Sequence, residues 1–108
     1  MATYKLCVYV PSEAAEAVKE ALFAAGAGVQ GAYRRCAFTC EGQGQFEPLP
    51  GSHPAIGAVG GLERVAEQRI EMLVPHERAA AVCAALLAAH PYEEPAYDLT
   101  EIRHAADL

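Results

Sequence analysis

The chain has 108 residues, enough for one domain with a modest hydrophobic core. Eight basic and fourteen acidic side chains give a net charge of −6, which argues against a nucleic-acid partner because phosphate backbones require clustered Lys and Arg. The apolar runs are far shorter than a bilayer span and no secretory signal pattern opens the sequence, so we predict no membrane partner and a cytoplasmic location.

The first predicted elements form a strand–helix–strand unit. Tyr4–Val10 is rich in Val, Leu and Tyr and is predicted to be a strand that Pro11 ends. Ser12 is the predicted N-cap of a helix, and that helix ends at Gly26. Its apolar face is predicted to consist of Ala14, Val18, Ala21, Leu22 and Ala25. The second strand is predicted over Ala32–Cys40.

The second half of the chain repeats this pattern. Arg69–Val74 is predicted to be a strand and His76–Ala89 a helix, with His76 at the capping position. The inner face of this helix is predicted to consist of Val82, Ala85, Leu86 and Ala89. Ala96–Ile102 is the last predicted strand, and Arg103–Leu108 is predicted to be a frayed tail.

The two halves align without a gap. Tyr4–Phe38 falls on Gln68–Ile102 at a constant offset of 64, and twelve positions are identical, including the Val–Pro step at each strand end. A duplicated βαβ unit predicts an α+β, ferredoxin-like βαββαβ fold with a four-stranded antiparallel sheet. We predict one domain over residues 1–102, with repeats at 4–38 and 68–102, a connector at 41–66 and a tail at 103–108.

One face of this sheet is predicted to be uncovered. Right-handed crossovers place both helices on the same face, against Leu6 and Ile70. The other face then carries Cys7, Tyr9 and Leu73 among charged residues. A half-apolar face and two free sheet edges predict a homo-oligomer.

The connector is unusually long for a compact domain, and loops of this length are functional or disordered. We expect it to pack against the domain because it contains apolar side chains, namely Phe46, Leu49, Ile56, Val59 and Leu62. Its start extends the second strand in one interpretation, and its end leads into the third. Its glycines are either turn residues, the interpretation we favour, or a weak phosphate-binding pattern.

The remaining candidate chemistry is sparse. Four cysteines without a CxxC pair are predicted to be reduced thiols, and no hydroxyl or thiol has a visible base partner. The exception is the segment from His90 to Pro95, which places an imidazole, the Tyr92 phenol and the Glu93 and Glu94 carboxylates between two prolines. This segment is either a rigid helix-to-strand turn or a site for a cation or a general base.

Four segments resemble the Nif-three-like family, which is often described as dinuclear-metal or cyclohydrolase-like. They are Gln45 to Gly57, Val59 to Val65, His90–Asp98 and Tyr9–Pro11. The resemblance covers residues 4–102 and matches only the middle domain that some members carry as an insertion. That domain is similar to the PII and CutA proteins, and CutA sequences share an HPY-x-x-P turn before their last strand.

This resemblance implies a stand-alone PII/CutA-like module, and PII and CutA relatives are trimers, so we predict a trimer or dimer. The resemblance implies that the metal centre of the family lies in domains flanking the matched segment, so we do not carry metal catalysis over to these residues. PII proteins bind nucleotides through basic residues near a long loop. Here Arg64 and Arg69 lie near the connector and Arg34 and Arg35 on the second strand, which favours nucleotide binding only weakly.

We therefore predict a non-enzymatic, oligomeric module that binds a small ligand or a protein partner. Its candidate contact residues are Phe46, His53, His90, Tyr92, Glu93, Glu94, Tyr97 and Asp98. The first alternative is a CutA-like protein that binds a divalent metal through His90, Glu93, Glu94 and His53 or a cysteine at a subunit boundary. The second is an accessory domain of a metal-dependent hydrolase.

Overall fold

The structure, a computed structural model, describes residues 2–108. Its elements are β1 (Thr3–Pro11), α1 (Ala15–Ala24), β2 (Phe38–Phe46), β3 (Glu63–Pro75), α2 (Ala79–Ala89) and β4 (Tyr97–Ile102). Short 3-10 helices occur at Ser12–Ala14, His76–Arg78 and Ala105–Asp107. None of the helices described is both long and apolar enough to cross a membrane.

The four strands form one sheet in the order β2-β3-β1-β4, and every neighbouring pair is antiparallel. The duplicated strands β1 and β3 lie together at the centre, where Leu6 pairs with Met72 and Val8 with Ile70. This topology confirms the predicted α+β, ferredoxin-like fold.

The core lies between the sheet and the two helices. Alternate residues of β1 and β3 point toward the helices, so one face of each strand is buried. Val18 of α1 and Leu86 of α2 belong to the same core cluster and are fully buried, which places both helices on one face of the sheet, as predicted. The remaining core residues are Leu6, Val8, Val10, Ala15, Leu22, Ala27, Ile70, Met72, Val74 and Val82.

The helix starts differ from the prediction. A 3-10 helix precedes each α-helix, so the N-cap residues are Ala14 and Arg78, and neither makes a side-chain capping hydrogen bond. Ser12 and His76 are therefore not the caps of α1 and α2. His76 Nδ1 instead lies 3.0 Å from the Tyr4 hydroxyl, across the start of β1.

The second strand is also displaced from its predicted position. Residues 32–37 of the predicted strand Ala32–Cys40 lie outside any strand, and β2 begins at Phe38. Gly28 (φ 79) and Arg35 (φ 59) adopt left-handed conformations that turn the chain and interrupt an extended run. The internal repeat therefore holds through α1 and breaks after it.

The connector predicted over 41–66 is shorter in the structure, because both flanking strands extend into it. Only residues 47–62 lie between β2 and β3. β1 pairs with β3 only as far as Glu67, so Gln43–Phe46 and Glu63–Ala66 pair with each other alone. We call this two-stranded extension the ribbon.

The C-terminal residues are more regular than the predicted frayed tail. Ala105–Asp107 forms a 3-10 helix. The backbone N–H of His104 donates a hydrogen bond to Asp107 Oδ2 at 2.8 Å and closes a capping box. Sequence reasoning missed this because His104 is not among the preferred N-cap residues Ser, Thr, Asp and Asn.

The turn after α1 gives a stability prediction. Gly28 has a φ of 79, and a Cβ there would lie 2.7 Å from Cε1 of the Phe23 ring and 3.1 Å from the Cys36 carbonyl oxygen. We expect Gly28→Ala to lower the free energy of unfolding by about 2–3 kcal/mol, from left-handed strain and overpacking together. Urea unfolding measures this loss.

The matched control is Gly31→Ala. Gly31 also has a positive φ, of 58, but no atom lies within 4 Å of its Cβ position. This control carries only the backbone cost, about 1 kcal/mol. Equal losses for the two variants would contradict a packing role for Gly28.

Candidate functional site

A pocket of about 430 Å³ lies where the ribbon, the connector and the turn before β4 meet. It opens on the face of the sheet that the helices leave uncovered, which we call the open face. Its walls come from Tyr9, Gly44, Gln45, Phe46, Glu47, Pro48, Leu49, Ser52, Pro54, Ala55, Ile56, Glu67, Tyr92, Glu93, Glu94 and Ala96. A pocket of this size is in the range that small-molecule sites occupy.

His90 attaches the turn before β4 to the central strand β1. Its side chain is buried, with 6% relative exposure. The ring Nε2 lies 2.7 Å from the backbone oxygen of Tyr9, and Nδ1 accepts a hydrogen bond from the backbone N–H of Tyr92 at 3.1 Å. Because Nδ1 accepts, Nε2 carries the proton and donates to Tyr9. Both ring nitrogens thus hold the backbone that positions Tyr92.

Tyr92 is the central polar group of the pocket. Its hydroxyl donates a hydrogen bond to Glu67 Oε2 at 2.8 Å, and its ring meets the Phe46 ring edge-on with centroids 5.5 Å apart. Burial raises the pKa of Tyr92 well above its usual range, and the hydrogen bond and charge of Glu67 raise it further. The phenol therefore remains a protonated donor at every physiological pH.

Gly44 makes room for the Glu67 carboxylate. On the open face, a Cβ at Gly44 would lie 2.1 Å from Glu67 Oε1 and 2.4 Å from its carboxyl carbon. The missing side chain at Gly44 lets the Glu67 carboxylate lie against β2 within reach of Tyr92.

This arrangement predicts the effect of Gly44→Ala. The new methyl group displaces the Glu67 carboxylate and breaks its hydrogen bond to Tyr92, so the pKa of Tyr92 falls toward its ordinary value of about 10, while burial keeps it above that value. Spectrophotometric titration of the phenolates measures the shift. In the wild-type protein, stability falls above about pH 10 because Tyr92 ionises in the unfolded chain and not in the folded chain. Gly44→Ala brings the folded and unfolded pKa values of Tyr92 closer together, so this loss of stability is smaller in the variant.

Gly42→Ala is the matched control for this prediction. Gly42 lies two residues away on the same strand and face, and no atom lies within 4 Å of its Cβ position. We expect an unchanged Tyr92 titration in that variant. A Gly44→Ala protein that titrates like wild type would show that Gly44 does not position Glu67.

The connector is fixed to the pocket by backbone hydrogen bonds. The N–H of His53 donates to Glu93 Oε1 at 3.0 Å, and Gly60 N–H donates to the Pro48 carbonyl at 2.8 Å. Pro48 is buried. The connector is thus tied to the domain, but not through all the apolar side chains that were expected to pack: Leu49, Val59 and Leu62 are 66%, 52% and 48% exposed.

The structure brings together part of the predicted contact set. Phe46, Tyr92, Glu93 and Glu94 line the pocket, while His53 is held beside it through its backbone. His90 lies beneath Tyr92. Tyr97 and Asp98 lie elsewhere: Tyr97 packs against the helix-side core, and Asp98 pairs with Cys7 on the open face.

The predicted metal ligands His90 and Glu93 already have hydrogen-bond partners within the domain. A metal ion on His90 would require the loss of its bond to Tyr9 or to Tyr92, and Glu93 already accepts from His53. Within residues 2–108 no group of three or more His, Cys, Asp or Glu side chains could hold a metal ion. All four cysteines are free. The metal prediction therefore concerns ligands shared between subunits.

Two pocket residues that lie outside the predicted connector and the turn before β4, Tyr9 and Glu67, were not anticipated from the sequence. Tyr9 carried a usable signal, since strand alternation already placed it on the uncovered face. Glu67 carried none, because its bond to Tyr92 joins residues 25 positions apart and depends on the missing side chain at Gly44, its diagonal neighbour on β2.

Structural comparison identifies the class of fold. The chain has a CutA-like fold: the CutA structure from Archaeoglobus fulgidus, described as a periplasmic divalent cation tolerance protein, superposes with a TM-score of 0.67 over 95% of this chain and 86% of that chain. At 19% identity this likeness shows the fold alone.

Sequence comparison gives a narrower relationship. Proteins named GTP cyclohydrolase 1 type 2 homolog, from Mycobacterium tuberculosis and Bacillus subtilis, are each 53% identical over 95 residues, or 88% of this chain. The structure of a Bacillus cereus protein related to NIF3 is 43% identical and superposes with a TM-score of 0.81 over 95% of the chain. The chain is thus similar to one segment of the NIF3-related proteins.

The chain spans about a quarter of the length of these relatives: 25% and 26% for the two sequences and 26% for the structure. No protein-family model matches it. The activity of a full-length relative therefore cannot be assigned to the matched segment alone.

Proposed function

We propose that this CutA-like domain is a non-catalytic module that binds a small ligand in the pocket between the ribbon, the connector and the turn at 90–95. The observation that carries the proposal is the pocket of about 430 Å³, whose walls combine apolar and aromatic side chains with a few polar groups. Such a combination is typical of small-molecule sites, in which a few polar groups set orientation.

The hydrogen bonds of the walls support this proposal. The side chains of His90, Tyr92 and Glu93 each make a hydrogen bond that holds part of the pocket wall in place. The turn at 90–95 and the connector, fixed in this way, lose little conformational freedom on binding, which favours affinity. These side chains then serve recognition and position rather than turnover.

A fragment screen followed by NMR tests the proposal. We expect bound fragments to shift the aromatic resonances of Phe46 and Tyr92 and to leave those of Tyr33, which is exposed and does not line the pocket, unchanged. Ile56→Arg should abolish these shifts by filling the pocket. If a diverse library perturbs neither ring, the domain has another role.

We also propose that the chain forms a homo-oligomer, a dimer or a trimer, through the open face. Phe38, which does not line the pocket, is 61% exposed on that face, and β2 is an edge strand. Burying such side chains against a second copy gains hydrophobic free energy. We expect light scattering after gel filtration to give a mass above 11.4 kDa.

Phe38→Glu should reduce that mass to the monomer value. Leu87→Glu is the control, since Leu87 is 51% exposed on the helix side and should leave the assembly intact. A wild-type monomer at high protein concentration would refute the proposal.

A second candidate function rests on the length of the relatives. Because the domain matches about a quarter of proteins named GTP cyclohydrolase 1 type 2 homolog, we propose that it also serves as an accessory domain to a metal-dependent hydrolase. Replacing the matching segment of the Bacillus subtilis relative with this chain tests the idea. If the chimera folds but no longer shows a ligand response that the Bacillus subtilis relative shows, the result would argue against the accessory role.

A further inference from the structure

We propose that the ligand of this pocket is a small organic cation, an alkyl- or arylammonium compound with an apolar body. This inference rests on the proposed small-ligand function and specifies its chemistry. It follows from the charge of the walls, from their aromatic side chains and from the half-buried position of one carboxylate, that of Glu67.

The charge of the pocket walls is entirely of one sign. Among the described residues that form them, four are glutamates, at positions 47, 67, 93 and 94, and none is lysine or arginine. An anionic ligand would meet these carboxylates at short range, and Arg69, which neighbours Tyr9 in the sheet, lines the adjoining cavity rather than this one. A phosphate-bearing ligand is therefore disfavoured, and a cation is favoured.

The aromatic side chains are concentrated at the same place. Tyr9, Phe46 and Tyr92 are three of the eight Tyr and Phe residues of the chain, and all three line the pocket. Ring faces attract cations, and cages of such rings recognise alkylated ammonium groups. Leu49, Pro54 and Ile56 add apolar surface for the body of the ligand.

Glu67 is the carboxylate best placed to meet the ammonium group. It is half-buried on β3, whereas Glu47, Glu93 and Glu94 are exposed around the rim. Its Oε2 accepts the Tyr92 hydroxyl at 2.8 Å, which leaves Oε1 for the ligand. A charge-assisted hydrogen bond in this partly desolvated position is stronger than one at the rim.

Three probes of matched shape test the inference on the full chain: phenethylammonium, 2-phenylethanol and phenylacetate. We expect the cation to bind most tightly at pH 7 and low salt, by about tenfold over the neutral probe, and the anion most weakly. Affinity for the cation should fall as salt is added. Shifts of the Phe46 and Tyr92 resonances report where each probe binds.

Glu67→Gln keeps a hydrogen-bond acceptor for Tyr92 but removes the charge. We expect it to weaken the cation about fivefold to tenfold and to leave the neutral probe unchanged. Glu77→Gln, an exposed position beside α2, removes one charge elsewhere and controls for net charge. Glu94→Gln provides a second variant in case Glu67→Gln misfolds.

The outcomes separate this inference from the function on which it rests. If the neutral probe binds as tightly as the cation, or if Glu67→Gln and Glu94→Gln do not weaken the cation, the charge inference fails and the small-ligand function stands. If no probe perturbs the pocket, the inference fails, and the fragment screen decides the function separately.

Discussion

His90→Ala is expected to lower the free energy of unfolding by about 3 kcal/mol, one of the two largest effects the structure predicts. The variant loses two hydrogen bonds, leaves the Tyr9 carbonyl without its partner and creates a cavity beneath Tyr92. The turn at 90–95 detaches from β1, so the phenol of Tyr92 moves away from Glu67. Chemical denaturation measures the loss, and NMR of the Tyr92 ring reports the detachment.

His53→Ala is the control, because His53 contacts the pocket through its backbone N–H and its side chain is not required. We expect a change below about 0.5 kcal/mol for this surface substitution. If the His90→Ala protein is as stable as wild type, that result would contradict the structural role of His90.

The same His90 variant examines the metal alternative. If His90 ligates a divalent ion with Glu93, Glu94 or His53 across a subunit boundary, metal bound to the wild-type protein should be lost in His90→Ala. The structural role predicts equal metal content in both proteins. Elemental analysis of the two purified proteins, after incubation with zinc and desalting, distinguishes these results.

Truncation of the two equivalent core leucines is expected to have an effect of similar size. Leu22 of α1 and Leu86 of α2 occupy the same position in the two repeats, and both are fully buried. Each change to alanine should cost about 3–4 kcal/mol, because buried methyl groups are lost and a cavity remains. The midpoint of urea unfolding measures both variants.

Leu87→Ala is the matched control for this pair, since Leu87 follows Leu86 directly and is 51% exposed. We expect it to lose less than about 1 kcal/mol. A cost at Leu87 equal to that at Leu86 would mean that α2 presents a different face to the sheet.

These positions also indicate how much of the fold can be read from the sequence. The alternation in β1 and β3 and the matched stripes of the two helices identify the core because side-chain direction follows directly from strand and helix geometry. The duplicated pattern then fixes the central pair of strands. These features depend only on local spacing.

Features that depend on one residue's conformation or on distant contacts were not predictable in this way. The offset from the second repeat placed β2 at Ala32–Cys40, but the left-handed Arg35 interrupts that stretch. A bulky residue with a positive φ gives no sequence signal of its own. In the site, the turn at 90–95 was identified from its composition, whereas Glu67 joins it only through the tertiary fold.

The ribbon has a thermodynamic consequence for anything that binds beside it. Residues Gln43–Phe46 have a single neighbouring strand, so this part of the sheet opens more easily than the central strands. Phe46 and Gly44 belong to it and line the pocket. A bound ligand would reduce these local fluctuations. The conformational entropy lost in this way makes the net binding free energy less favourable. Damped motion of the ribbon would thus be a readout of binding that requires no change of shape.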